Sequence, residues 1–446
     1  MSLRRIVNRL LNLGVLFASI AGLLALTFNP VTGRAQEEPG KRAFDANCAS
    51  CHGSNGEGGS GPALVPLRYD ERRLLEIVRR GGAQMPGVSS ARISDADVSA
   101  VAQHLRTLGA GGRSPVPLTG ALKPAGPTEL LAPASEVVPV TDAMLANPDP
   151  SEWLSWRRTL DAHGHSPLDQ ITVQNARHLK LEWSWGMDPG ASQTTPLVRN
   201  GILYIASPGN VVHALDGRTG QLRWEYRREG DDPLAQMRSL AIYEDLVYLN
   251  TGDGHIVGLD ARTGAVRWDT EVRGNDKQYR FTSGPIVADG VVIAGLTGCS
   301  TFADDTCYIV AVDGRTGREL WRTSTVARPG EPGGDTWGGL PIMYRAGGDA
   351  WIPGSYDPVR KVVYWGTAQA KPWHAQARGT DGEALYTNST LAMDPKTGKV
   401  QWHFQHIPSE SHDMDETFER ILIDYDGKRS VFSMGKLGIL WELDRT

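Results

Sequence analysis

Tryptophan is missing from the first 150 residues, and all thirteen in the chain lie after Pro150. That gap excludes one uniform architecture from end to end. Cysteine is scarce, with four in 446 residues, too few for a fold built on disulfides. Excess positive charge is also lacking: the formal balance is −5, and the first 35 residues contain Arg4, Arg5, Arg9 and Arg34 but no acid, so the rest is more acidic still. This argues against a nucleic-acid binder.

What is present begins with a leader. Basic residues precede an apolar run from Leu10 to Phe28, followed by Pro30 and the small-residue ending "GRA". This reads as a secretory signal over residues 1–35, cut near Ala35, and the bacterial periplasm is the expected destination. The apolar run is long enough that an uncleaved anchor is the alternative. After cleavage, no membrane association is expected.

The four cysteines sort into two pairs. Cys48 and Cys51 form "CASCH", which places two thiols one helical turn apart and His52 beside them. In an exported chain with no βαβ pattern nearby, this spacing implies thioether attachment of haem c, with His52 on the iron. Met85, in "GGAQMPG", is the expected second axial ligand, because it is the one methionine of the region and sits in a stiff Gly/Pro loop. His104 is its rival. Cys299 and Cys307 bracket "STFADDT" and are expected to form a disulfide.

Residues 36–112 read as a small all-α domain. Its clearest helix is "RISDADVSAVAQHLRTLG", with Ser94 as N-cap and Asp97 three residues on. Val98, Val101, Leu105 and Leu108 line one face, and Gly109 is the expected stop. Residues 113–138, rich in Pro, Ala and Gly, read as a linker.

From 139 to 446 the chain repeats itself. "HALDGRTGQLRW", "VGLDARTGAVRW", "VAVDGRTGRELW" and "LAMDPKTGKVQW" share an apolar strand, Asp, two free positions, Thr-Gly and a strand ending in Trp. The pattern predicts β-hairpins in which Asp accepts turn N–H groups, Gly takes a positive φ, and Trp docks on the next sheet. With further apolar strands between them, the units predict a β-propeller. "LWELDRT" opens a fifth hairpin without completing it, so a longer, fuller ring is expected.

Residues 40–110 resemble a class I cytochrome c domain, on "NCASCHGSNGEGGSGPAL" and the Met85 loop. That implies one-electron transfer. Residues from about 150 to 446 resemble the quinoprotein alcohol dehydrogenases, eight-bladed propellers that hold pyrroloquinoline quinone (PQQ) and a metal ion on the axis. The likeness rests on "SPLDQI", the hairpins, "GGDTWGG", "YDP" and "LDR". The segment "WRRTLDAHGHSPLDQI" is most similar to the sorbose and sorbosone dehydrogenase branch.

The resemblance implies roles for particular residues. Trp351 stacks under the quinone, Arg238 pairs with one of its carboxylates, Thr282 and Gln193 contact it, and Lys436 lies beside its reactive oxygens. Asp413 in "SHDMDE" is the catalytic base. Asp415, two residues on, joins Asp413 and Gln369 around a Ca2+ or lanthanide ion. Five positions depart from the family pattern. Cys299 stands where a metal-binding Glu is usual, Gln369 replaces Asn, Gln193 replaces Glu, and Asp232 and Pro233 replace an adjacent-cysteine disulfide; Asp304 or Asp305 is a candidate further ligand.

Two readings follow. One is a periplasmic quinohaemoprotein that oxidises an alcohol or sugar alcohol and passes electrons through its haem to a periplasmic cytochrome or membrane acceptor. The other is a non-catalytic propeller scaffold that carries a cytochrome.

Overall fold

The computed structural model describes residues 38–58, 64–65, 67, 69–81, 85, 87–111, 138–188, 190–228, 236–273, 279–302 and 305–446. The leader, the linker up to residue 137, Asp232, Pro233 and Asp304 lie outside the described residues. The chain divides into two compact units, Met1–Lys123 and Pro124–Thr446. Among the described residues, no helix is long and apolar enough to cross a membrane.

The first unit is helical: α1 (Pro39–Asn47), α2 (Ala49–His52), α3 (Glu71–Arg80) and α4 (Asp95–Gly111). Pro39 opens α1, where its missing N–H costs nothing. Asp70 caps α3 by accepting from the Arg73 amide at 2.7 Å. Ser94 caps α4 in the predicted way, accepting from the Asp97 amide at 3.1 Å. Val98, Val101 and Leu105 turn inward onto Phe44, Leu74 and Val78. The expected stop at Gly109 is corrected, since α4 continues to Gly111. Glycine weakens a helix by about 1 kcal/mol, a cost that flanking turns can absorb. Gly40 lets α1 and α4 cross closely, as a Cβ there would lie 2.2 Å from the Ala100 carbonyl oxygen.

The second unit is a row of antiparallel sheets. Blade one holds β1 (Leu197–Arg199), β2 (Ile202–Ser207), β3 (Val211–Asp216) and β4 (Leu222–Arg227). Blade two holds β5 (Ala241–Tyr243), β6 (Leu246–Asn250), β7 (His255–Asp260) and β8 (Val266–Glu271). Blade three holds β9 (Ile286–Ala288), β10 (Val291–Gly295), β11 (Tyr308–Asp313) and β12 (Glu319–Ser324). A short pair, β13 (Ala346–Gly347) with β16 (Ala370–Lys371), stands apart. Blade four holds β14 (Ser355–Asp357), β15 (Val362–Gly366), β17 (Ser389–Met393) and β18 (Val400–Gln405). Blade five has three strands, β19 (Ile421–Tyr425), β20 (Lys428–Met434) and β21 (Leu440–Asp444). The innermost strands are neighbours, β5 beside β9 and β14 beside β19. This is the predicted propeller architecture.

The repeated motif is a clasp between blades. In the second blade, Asp260 Oδ1 accepts from the amides of Arg262 (3.0 Å) and Thr263 (2.9 Å) and from the Thr263 hydroxyl (2.9 Å). Asp216, Asp313 and Asp394 do the same in their own turns. The indole N–H of each preceding unit then donates to the carbonyl just past that Asp: Trp183 to Gly217 (3.2 Å), Trp224 to Ala261 (3.0 Å), Trp268 to Gly314 (3.1 Å) and Trp321 to Pro395 (3.0 Å). An aromatic side chain buries roughly 150–250 Å² at about 25 cal/mol per Å², so each indole contributes on the order of 4–6 kcal/mol before entropy.

The turn glycine serves two ends at once. Gly264 has φ +73°, and a Cβ on it would lie 2.6 Å from the Trp224 ring. Gly427 has a similar φ of +75° but nothing within 4 Å. Gly427→Ala is therefore expected to cost about 1–2 kcal/mol, the price of left-handed backbone. Gly264→Ala should cost that plus roughly 1–3 kcal/mol from overpacking the clasp. Urea denaturation of the two variants checks this, and equal losses would mean that the indole does not press on the turn.

Candidate functional site

In an antiparallel meander the connections alternate between the two ends of the strands. The Asp-x-x-Thr-Gly turns occupy one end. The links from second to third strand, and from one blade to the next, fall at the other end. Arg238, Thr282, Cys299, Trp351, Gln369, Asp413, Asp415 and Lys436 all lie in links of this second kind. Residues spread over two hundred positions are thereby delivered to one end of the blades.

One group is built around Trp351. The Arg238 guanidinium lies 5.0 Å from its ring centroid and donates to the Thr282 carbonyl at 2.8 Å. This contact uses the Thr282 carbonyl and leaves its hydroxyl out of the bond to Arg238. Arg238 is 8% exposed, and no carboxylate pairs with it among the described residues, so burial alone pushes its pKa down to about 10. Phe418 meets the Trp351 ring edge-on at 5.2 Å. A buried, unpaired guanidinium beside an aromatic face suits a flat, anionic ligand. Gln193 is not brought into this contact; its side chain is exposed. Only the backbone nearby joins in, through the Thr195 amide and the Arg238 carbonyl at 2.8 Å.

The second group is the acidic turn. Asp413 is held at φ +61°, a conformation uncommon outside glycine. Gln369 donates its side-chain amide to Asp413 Oδ1 at 2.6 Å and its main-chain amide to Asp415 Oδ1 at 3.2 Å. Lys436 Nζ reaches Asp415 at 2.8 Å and Asp413 at 3.2 Å. Burial raises the pKa of Asp415 despite the Lys436 ammonium beside it. For Lys436, burial works against the charge, but the bonds to Asp415 and Asp413 outweigh it and its pKa is raised.

Gln369 Oε1 is buried with no hydrogen-bond partner. An oxygen so placed beside two carboxylates suits a hard cation. Among the described residues, no three His, Cys, Asp or Glu side chains converge as a metal cluster, so Asp413, Asp415 and Gln369 supply only part of a shell. Cys299 is excluded from metal binding by its disulfide to Cys307, as the spacing predicted. Asp305 is engaged elsewhere, paired with Arg328 at 2.5 Å.

Several participants escaped the sequence reading. Asp349, 4% exposed, accepts from the Gly298 amide at 2.9 Å and pairs with Lys371 at 2.8 Å, tying the disulfide loop to the Trp351 and Gln369 loops. Its signal was a lone acid in "AGGDAW". Glu416 is buried, with its carboxyl packed on Gly435, and burial raises its pKa.

In the small unit, the Cys51 and His52 amides both bond the Cys48 carbonyl, at 3.1 and 3.0 Å, which makes the expected single turn. The two thiols are not bonded to each other, and burial raises the Cys48 pKa. His52 is 7% exposed. Met85 packs on the same apolar cluster as Cys48, together with Leu64, Leu67 and Val88. His104 is spent on helix packing, its ring 6.0 Å from that of Phe44. Two free thiols and a buried imidazole on one turn, with Cys48 and the Met85 thioether on the same apolar cluster, fit a covalently held haem.

Comparison with known proteins agrees with this geometry. Residues 153–446 match the family described as "Glucose/ethanol/alcohol dehydrogenase, beta-propeller domain", and residues 35–105 match "Cytochrome C oxidase, cbb3-type, subunit III". The chain belongs to the PQQ-dependent alcohol dehydrogenase family and joins that propeller to a cytochrome c domain. The cofactors that go with these domains are haem c and PQQ with a calcium or lanthanide ion.

Among relatives, the quinohemoprotein alcohol dehydrogenase ADH-IIG of Pseudomonas putida is 32% identical over 67% of this chain and 45% of its own length. The solved structure of that enzyme from strain HK5 superposes with a TM-score of 0.65, covering 70% of this chain and 49% of the other. A europium-containing methanol dehydrogenase gives a TM-score of 0.62 at 25% identity, covering 68% and 58%. The chain spans about half the length of the curated relatives it matches. These comparisons reach the family and stop short of the sorbose branch.

Lys436 gives this site a pH signature. A lysine whose folded pKa is raised contributes stability in full below its unfolded value, and loses it as pH rises through the folded value. Thermal melts should therefore fall off above the ordinary lysine value of 10.5. Lys436→Met is expected to melt lower at neutral pH and to show a flatter alkaline decline. Parallel curves for the two proteins would rule out this role for the ammonium.

Proposed function

We propose that the full-length protein is a periplasmic quinohaemoprotein dehydrogenase that oxidises an alcohol or sugar alcohol and passes the electrons singly through its own haem c. The observation carrying this reading is that Gln369, Asp413, Asp415 and Lys436, from three separate links, meet in one hydrogen-bonded group at the blade end that also holds Trp351 and Arg238. A scaffold has no use for such a convergence.

In this reading Trp351 provides the floor for the quinone, and Arg238 binds one of its carboxylates. Gln369, Asp413 and Asp415 hold the ion. When bound, the quinone takes up the hydride equivalent and the ion polarises its carbonyl. Asp413 accepts the alcohol proton at its carboxylate, held in place by Gln369 and by the Lys436 ammonium. In the small unit, Cys48 and Cys51 attach the haem, while His52 and Met85 bind its iron. The leader fits export to the periplasm, where a cytochrome or a membrane acceptor takes the electrons onward.

The test is haem reduction in full-length protein supplied with PQQ and either calcium or a lanthanide, followed by absorbance on adding primary alcohols, sorbose-type sugars and polyols. No reduction across that panel removes the reading. Asp413→Asn is expected to retain the cofactors and lose about 10²–10⁴-fold in kcat. Arg238→Ala should weaken quinone binding about tenfold or more, read as PQQ released on gel filtration. Met85→His should lower the haem potential, because thioether ligation raises it.

A further inference from the structure

Arg420 is fully buried, and no carboxylate is in ion-pair contact with it among the described residues. A desolvated cation costs several kcal/mol unless acceptors surround it. Here the acceptors are neutral. Arg420 Nε donates to Thr390 Oγ1 at 2.8 Å, Nη2 to the carbonyls of Glu416 (2.5 Å) and Ser389 (3.3 Å), and Nη1 to the carbonyl of Phe418. Thr390 Oγ1 is also bonded to His406 Nε2 at 2.8 Å. The backbone is shaped to accept the guanidinium, since a Cβ on Gly366 would lie 2.7 Å from it.

These bonds have one direction in common. They run from β17 of blade four to the chain just past the acidic turn. The Glu416 carbonyl is one residue from Asp415, and the Phe418 carbonyl belongs to the ring that meets Trp351 edge-on. We infer that Arg420 is a positioning residue that fixes the carboxylate turn and, through Phe418, the indole floor, as one rigid piece. It touches neither substrate nor cofactor. The assignment of its target rests on the proposed dehydrogenase reading, but the physical coupling does not.

Amide hydrogen exchange on the 446-residue chain separates the two, because it needs no cofactor. Arg420→Met is expected to speed exchange at least tenfold in residues 413–418 and in 349–352 together, leaving the turn at 258–266 unchanged. Arg420→Lys, which keeps the charge and some of the bonds, should restore part of the protection. Unchanged exchange at either segment would overturn the inference, as would an equal rise everywhere. If Arg420→Met does not fold, Gly366→Ala presses on the same guanidinium more gently and should produce the same paired response. In full-length holoenzyme, Arg420→Met should lower kcat about tenfold with KM little changed. Paired exchange without any dehydrogenase activity would sink the enzyme reading alone, whereas activity without paired exchange would sink the coupling alone.

Discussion

The structure depends on one contact made four times: an indole of one unit lying on the turn glycine of the next and bonding the carbonyl beyond the turn aspartate. A flat sheet has two faces to bury, and the indole covers the outer part of that face while Val, Ile and Leu fill the inner part. Because the hydrogen bond fixes height as well as distance, successive blades cannot slide along one another. The loop ends are held level as a result. That is what allows links more than a hundred residues apart, such as those of Arg238 and Trp351, to bring their side chains together.

The repeat was legible because each of its residues does a backbone-scale task at fixed spacing. Asp260, Thr263 and Gly264 serve a turn that closes on itself, so no distant partner has to be known. The CASCH turn and the Ser94 cap were legible for the same reason. The acidic turn stood out by its charge, and family likeness supplied its expected neighbours Gln369 and Lys436, which the structure does bring to it.

What escaped was long-range or a matter of orientation. Arg420 looks like any loop arginine in "TFERIL", and only its burial reveals the four acceptors around it. Asp349 earns its role by joining three loops, which no local pattern encodes. The Gln193 side chain is exposed, while the backbone two residues on, at Thr195, bonds the Arg238 carbonyl. Likeness transfers a position along the chain, but a rotamer is decided by neighbours that the sequence does not name. The end of α4 was missed because a single glycine lowers helix stability without forbidding the helix.

The two groups at the blade end are electrically unfinished in opposite senses. Around Trp351 there is a buried guanidinium with no anion paired to it among the described residues, and burial has already pulled its pKa down. At the acidic turn Asp413, Asp415 and buried Glu416 face the Lys436 ammonium and the nearby Arg420 guanidinium, and burial holds the pKa of Asp415 and Glu416 up. Each imbalance is unfavourable alone. A ring bearing carboxylates relieves the first, and a multivalent cation relieves the second. On the proposed reading, a planar polyacid that chelates a metal ion would relieve both. The charges at the two groups thus support the proposed reading of a quinone bound together with a metal ion.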